Sequence, residues 1–144
     1  MTVATYLCFD YGTKRIGVAV GQTLISTATP LATVRVNSGR PDWSRLTALI
    51  REWRPEALVV GVPLTMDNAR QALTDKAEKF ARQLEGRYRL PVHRAEERLT
   101  THAAKTRLRR TSDLDPVAAQ IILESWLADQ ARQLTWLRPL KVVA

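Results

Sequence analysis

The sequence predicts a single α/β domain built on a mixed five-stranded sheet, an antiparallel meander followed by parallel strands, with helices on both faces. Three observations predict it. Two short runs rich in β-formers flank the turn "YGTK" near the start. A continuously apolar run, "ALVVGV", is of the kind buried in parallel sheets. Helix-period segments alternate with short strands from Pro41 onward, as in βαβ units.

The elements follow in order. Thr5 to Asp10 and Arg15 to Gly21 read as a hairpin with Gly12 supplying the turn, and Ala32 to Val36 adds a third strand. "PDWSRLTALIREWRP" places Trp43, Leu46, Leu49, Ile50 and Trp53 on one helical face, with Asp42 as N-cap and Pro55 as the stop. Ala57 to Val62 is a parallel strand ended by Pro63. The segment Ala69 to Glu85 carries apolar residues at helical spacing and closes with Gly86 at C′. A short strand at Pro91 to Ala95, a short helix from Thr100 or Thr101 to about Arg109, and a long helix opened by Asp115-Pro116 complete the chain. In such a sheet the first strand is expected at the centre, with ligands gathering at the strands' carboxyl ends. Asp10 lies at that edge.

Composition narrows the function. A chain of 144 residues with 45% apolar content suits one domain over residues 1–144. Twenty-two Lys and Arg against 14 Asp and Glu leave a net charge of +8, a bias towards polyanions such as nucleic acid. The lone cysteine, Cys8, cannot close an internal disulfide and sits in an apolar run. With no apolar run near the roughly 18 residues of a membrane span and no signal peptide before the first strand, the expectation is a cytoplasmic protein without membrane association.

Asp10 raises a chemical question, because a carboxylate at the end of an apolar strand is costly unless a cation or hydrogen bonds compensate it. Lys14 or Arg15 of the hairpin would be a structural answer. The functional answer needs further acids at neighbouring element ends. Glu97 follows the last strand, with Glu96 as its rival. Asp115 opens the last helix, with Asp113 as its rival, although Asp before Pro also serves as an ordinary N-cap. Carboxylates converging from two strands and a helix suit oxygen-coordinated Mg²⁺ or Mn²⁺, and two such ions activate water and steady the leaving oxygen in phosphodiester hydrolysis. Lys14, Arg15, Arg98, Arg107, Arg109 and Arg110 flank these acids in sequence and are candidate phosphate contacts.

"FDYGTKRIGVAVG", "VVGVPLTMD", "EERLTT" and "DPVAAQIILESWL" together resemble the successive motifs of the YqgF family, bacterial proteins with the RNase H-like fold of junction resolvases. The resemblance spans nearly the whole chain. It implies a metal-dependent nuclease, described within the family either as processing the 5′ end of pre-16S ribosomal RNA or as resolving Holliday junctions. It also implies that the catalytic, metal-holding acids fall on Asp10, Glu97 and Asp115. The chain departs from the usual pattern at Glu96-Glu97-Arg98, where Asp-Glu-Arg is common, at Asn68-Ala69, where glycine is usual, and in the short connection Thr111 to Leu114.

Two other classes compete. "DYGT" is also similar to the phosphate-binding hairpin of actin-like ATPases and sugar kinases, but those close two such domains over a nucleotide. A non-catalytic nucleic-acid-binding protein would use the basic surface and keep the acids as caps. His93 and His102 lack ligand spacing, and Trp43, Trp53, Trp126 and Trp136 are read as core. The helices' apolar faces are largely used by one sheet, so a monomer or weak dimer is expected, and RNA is favoured over branched DNA as the partner. The tail "TWLRPLKVVA" has no assigned role.

Overall fold

The computed structural model describes residues 3–23, 27–63, 68–96 and 114–143, with the side chains of all these except 68–71, 114, 115 and 132–143. β1 (Thr5–Tyr11) and β2 (Arg15–Gln22) form the expected hairpin, with Asp10 opposite Gly17. Gly12 is needed there for close approach. Its N–H donates to the Arg15 carbonyl at 2.9 Å, and a Cβ in its place would lie 2.6 Å from that same oxygen.

β3 (Ala28–Asn37) starts earlier than the expected Ala32. The added stretch contains Pro30, which the ladder accommodates at a bulge: Val18 pairs with Ala32 and Ala19 with Pro30, leaving Leu31 as the extra residue. The sheet has six strands rather than five, because Arg40–Pro41 (β4) folds back on Val36 and Asn37. The connecting residues Ser38 and Gly39 have φ of 51° and 77°, both positive as a tight type I′ hairpin requires.

α1 (Trp43–Trp53) begins as expected, with Asp42 Oδ1 accepting from the Arg45 N–H at 3.2 Å. It ends at left-handed Arg54, φ 45°, whose N–H donates to the Ile50 carbonyl at 2.9 Å, and Pro55 then prevents continuation. Trp53 is not core: it is 38% exposed at the helix end. β5 (Ala57–Val62) matches its expected span and is buried throughout.

α2 (Asn68–Tyr88) runs through Gly86, and the left-handed position falls three residues later at Arg89. Contacts of the last turn outweigh the glycine signal. The Tyr88 hydroxyl shares a 2.8 Å hydrogen bond with Thr47 Oγ1, and the Arg87 guanidinium lies 3.9 Å over the Trp43 ring. β6 (Val92–Glu96) follows. α3 (Leu114–Val143) is longer than the expected helix, its backbone continuing through the tail segment. The expected helix from Thr100 or Thr101 to Arg109 lies outside the described residues.

The strand order is β4-β3-β2-β1-β5-β6, with β1 parallel to β5 and β5 parallel to β6, so the first strand is central as expected. Strand alternation sends Leu7, Phe9 and Tyr11 to the face covered by α1 and α2. There Phe80 packs edge-on to Phe9, with centroids 5.8 Å apart, and stacks on Trp43 at 5.8 Å. Cys8 and the flanking Tyr6 go to the other face, beneath Ile122, Leu123, Trp126 and Leu127 of α3. Asp10 takes that second face by the same alternation.

Candidate active site

Asp10 is half-buried at the carboxyl end of the central strand. Its surroundings follow from register. Gly17 is its partner on β2; across the parallel ladder Phe9 pairs with Val60, so the next residue of β5 at Asp10's level is Gly61, and Gly61 pairs with Ala95 on β6. Gly17, Gly61 and Ala95 thus flank the carboxylate at one level of the sheet, and none carries a side chain beyond Cβ. Gly17, Gly61 and Ala95 are themselves buried, so small residues at this level let what covers the sheet come close to its backbone beside the acid, whereas large apolar residues fill the other face at the same height: Tyr11 and Val60 are both buried.

The hairpin tip beside Asp10 is firmly placed. The Val36 N–H donates to the Lys14 carbonyl at 2.9 Å, tying the tip to β3, and the side chains of Lys14 and Arg15 are exposed. Glu96 ends β6 as an exposed residue opposite Val62. Glu97, Arg98, Arg107, Arg109 and Arg110 lie outside the described residues, and so does the rival Asp113. Asp115 falls in the first turn of α3, where the backbone alone is described. Among the described residues no three His, Cys, Asp or Glu side chains cluster to hold a metal, and two of the three expected ligands are not in that set. Likewise, among the described residues no helix is long and apolar enough to cross a membrane.

The small-residue floor was missed in the sequence, although "RIGVAVG" and "VVGVP" each put a glycine where a strand would normally carry a branched residue. Also missed was a basic cleft of about 400 Å³ on the opposite face, lined by Lys14, Lys76 and Lys79. The His93 ring lies against Trp126 at 5.0 Å between centroids.

A central strand carrying an acid at its carboxyl end, a meander on one side and parallel strands on the other define an RNase H-like α/β protein. The arrangement resembles a solved structure described as "T. thermophilus RuvC in complex with Holliday junction substrate", with a TM-score of 0.57 and 18% identity over 89% of this chain and 96% of that one. At that identity the likeness concerns the fold. Residues 4–129 match the family described as "RuvX: Holliday junction resolvase", and the chain belongs to that family. It is 48% identical over 132 residues to a protein of Azotobacter vinelandii, covering 86% of this chain and 93% of the relative. It is 50% identical over 120 residues to one of Hydrogenovibrio crunogenus, covering 83% and 90%. Both carry the name "Putative pre-16S rRNA nuclease". The family is one of phosphodiester-hydrolysing nucleases with a RuvC-like fold.

Proposed function

We propose that the chain is a single-domain, divalent-metal-dependent nuclease that trims the 5′ end of pre-16S ribosomal RNA, with Asp10, Glu97 and Asp115 as its catalytic carboxylates. The observation that carries this is the half-buried Asp10 carboxylate on a floor of Gly17, Gly61 and Ala95. The names of relatives at 48% and 50% identity favour the RNA substrate.

Register supports Glu97 over Glu96. Ala95 is buried on Asp10's face, which turns Glu96 away, and alternation carried one residue further would return Glu97 to that face. Helix length supports Asp115. Trp126 packs on Tyr6 with centroids 5.1 Å apart, near the amino end of β1. From there Asp115 is about 17 Å back along α3 at 1.5 Å per residue, and Asp10 is about 13 Å along β1 at 3.3 Å per residue. The two rises are comparable, so the first turn of α3 can reach the level of Asp10.

An all-carboxylate donor set fits a hard cation such as Mg²⁺ or Mn²⁺. Bound there, the ion would polarise the phosphoryl oxygen and lower the pKa of the attacking water. The rigid central strand keeps Asp10 in place. Lys14, Arg15, Arg98, Arg107, Arg109 and Arg110 supply positive charge for the flanking backbone.

The family's description supports a second reading, resolution of a four-way DNA junction. Paired symmetric cuts would then require a two-fold dimer, whereas cutting one RNA strand needs only a monomer or weak dimer. The test compares a ribosomal RNA precursor fragment with a synthetic four-way junction, in Mg²⁺ or Mn²⁺, using the wild type and Asp10→Asn. Cleavage of the RNA by wild type alone is expected. Symmetric junction cleavage with intact RNA would overturn the substrate, and cleavage by Asp10→Asn at the wild-type rate would overturn the site.

A further inference from the structure

A cleft of about 400 Å³ opens between the β1–β2 turn, the β3–β4 turn and α2, on the sheet face opposite Asp10. Its lining includes Lys14, Lys76 and Lys79 and, among the described residues, no carboxylate. Lys76 and Lys79 are three residues apart on α2, hence on one helix face, and like charges at that spacing repel. None of the three lysines forms an ion pair with a described residue. Of the acids on α2, Glu78 and Glu85 both bind Arg94, at 3.1 and 2.9 Å, and Asp75, beside Lys76 and one turn before Lys79, is exposed and does not line the cleft. The remaining lining includes the Tyr11 ring and the small turn residues Ser38 and Gly39, which let another chain approach the backbone closely. Three lysines thus line a concavity whose described lining carries no acid, an arrangement that suits an anionic ligand.

We propose that this cleft binds phosphates of the nucleic-acid backbone, with Lys76 and Lys79 gripping the substrate at a distance from the cut. Two observations favour a polymer over a free phosphate. The lysines are exposed point charges about 4.5 Å apart along the helix axis, in place of a ring of backbone N–H groups closing on one anion. Lys14 lines the cleft while its neighbours in the hairpin lead directly to Asp10, so a strand with one phosphate at Asp10 reaches the cleft over the hairpin tip. The proposal rests on the nuclease reading for the identity of the polymer, and its test is read by binding alone.

The experiment measures binding of a fluorescently labelled RNA hairpin with a single-stranded tail by anisotropy, over a series of salt concentrations, in Asp10→Asn protein without divalent metal. Adding Lys76→Gln and Lys79→Gln should lower the slope of log affinity against log salt by about 1.4, at roughly 0.7 per single-strand phosphate contact. Removing two exposed cations from α1, with Arg45→Gln and Arg51→Gln, should leave the slope unchanged. Circular dichroism melts of both double variants should match the parent. An unchanged slope in Lys76→Gln/Lys79→Gln, or an equal fall in the α1 control, would overturn the proposal. So would calorimetric binding of adenosine monophosphate that the lysine variant loses while its RNA slope stays intact. Because no cleavage is read, failure of the Asp10 carboxylate site in the activity comparison remains a separate result.

Discussion

Gly12→Ala tests how tightly the hairpin tip beside Asp10 is built. The added Cβ would sit 2.6 Å from the Arg15 carbonyl oxygen, about 0.4 Å inside the 3.0 Å limit that real Cβ atoms respect. The obstacle is backbone, so no rotamer change relieves it. The turn must open, and the 2.9 Å hydrogen bond from the residue-12 N–H to that same oxygen opens with it. A net hydrogen bond contributes about 0.5–1.5 kcal/mol and local overpacking costs about 1–3 kcal/mol, so a loss of about 2 kcal/mol is expected. For a domain of this size that is a fall in Tm of roughly 6–8 °C. Urea denaturation measures the loss. Hydrogen exchange at the Val36 amide, which donates to Lys14, reports whether the tip has loosened. Stability within about 0.5 kcal/mol of the parent, with unchanged Val36 exchange, would refute the close-approach argument and return Gly12 to an ordinary turn position.

Two further outcomes are expected. Glu97→Gln should reduce cleavage by about 10²-fold or more while Glu96→Gln changes it little, since Ala95 shares Asp10's face and Glu96 alternates away from it; equal losses in a single-turnover assay would show that the alternation does not persist past β6. Burial pushes the Tyr11 phenol above its ordinary 10.0, and burial followed by the Glu56 carboxylate does the same for Tyr6. The unfolded phenols therefore ionise first, so this contribution is fully present below about pH 10 and is lost as pH rises through the folded values. Tyr11→Phe should flatten part of the alkaline fall in urea midpoint, and parallel curves for the two proteins would refute that contribution.

Local signals read well where they agreed with tertiary packing. Asp42 before an amphipathic run and Pro55 after it bounded α1, and the uninterrupted apolar run of β5 gave its span to the residue. They failed where distant contacts decided. Pro30 belongs to a strand because a bulge against Ala19 absorbs it, and Gly86 does not end α2 because Tyr88 and Arg87 hold the last turn on α1. The two residues of β4 are too few for a periodic pattern. At the candidate site, Asp10 was legible because a charge in an apolar strand violates the local pattern. Its floor was not, since Gly17, Gly61 and Ala95 come together only through the ladders. Lys76 and Lys79 read as an ordinary solvated helix face until the hairpin tip is placed across from them.

The sheet is covered on its two sides by parts of the chain made at different times. By residue 96 every described strand has been synthesised, together with α1 and α2, which cover one side. Cys8, Val59 and Ala95 on the other side still await Ile122, Leu123 and Leu127 of α3. At 5–20 residues per second the interval is a few seconds. During vectorial synthesis the nascent chain thus carries an uncovered apolar surface with the Asp10 carboxylate at its margin. If the proposed site is right, the side that carries Asp10 is completed last, and a half-made chain would lack part of its cutting centre.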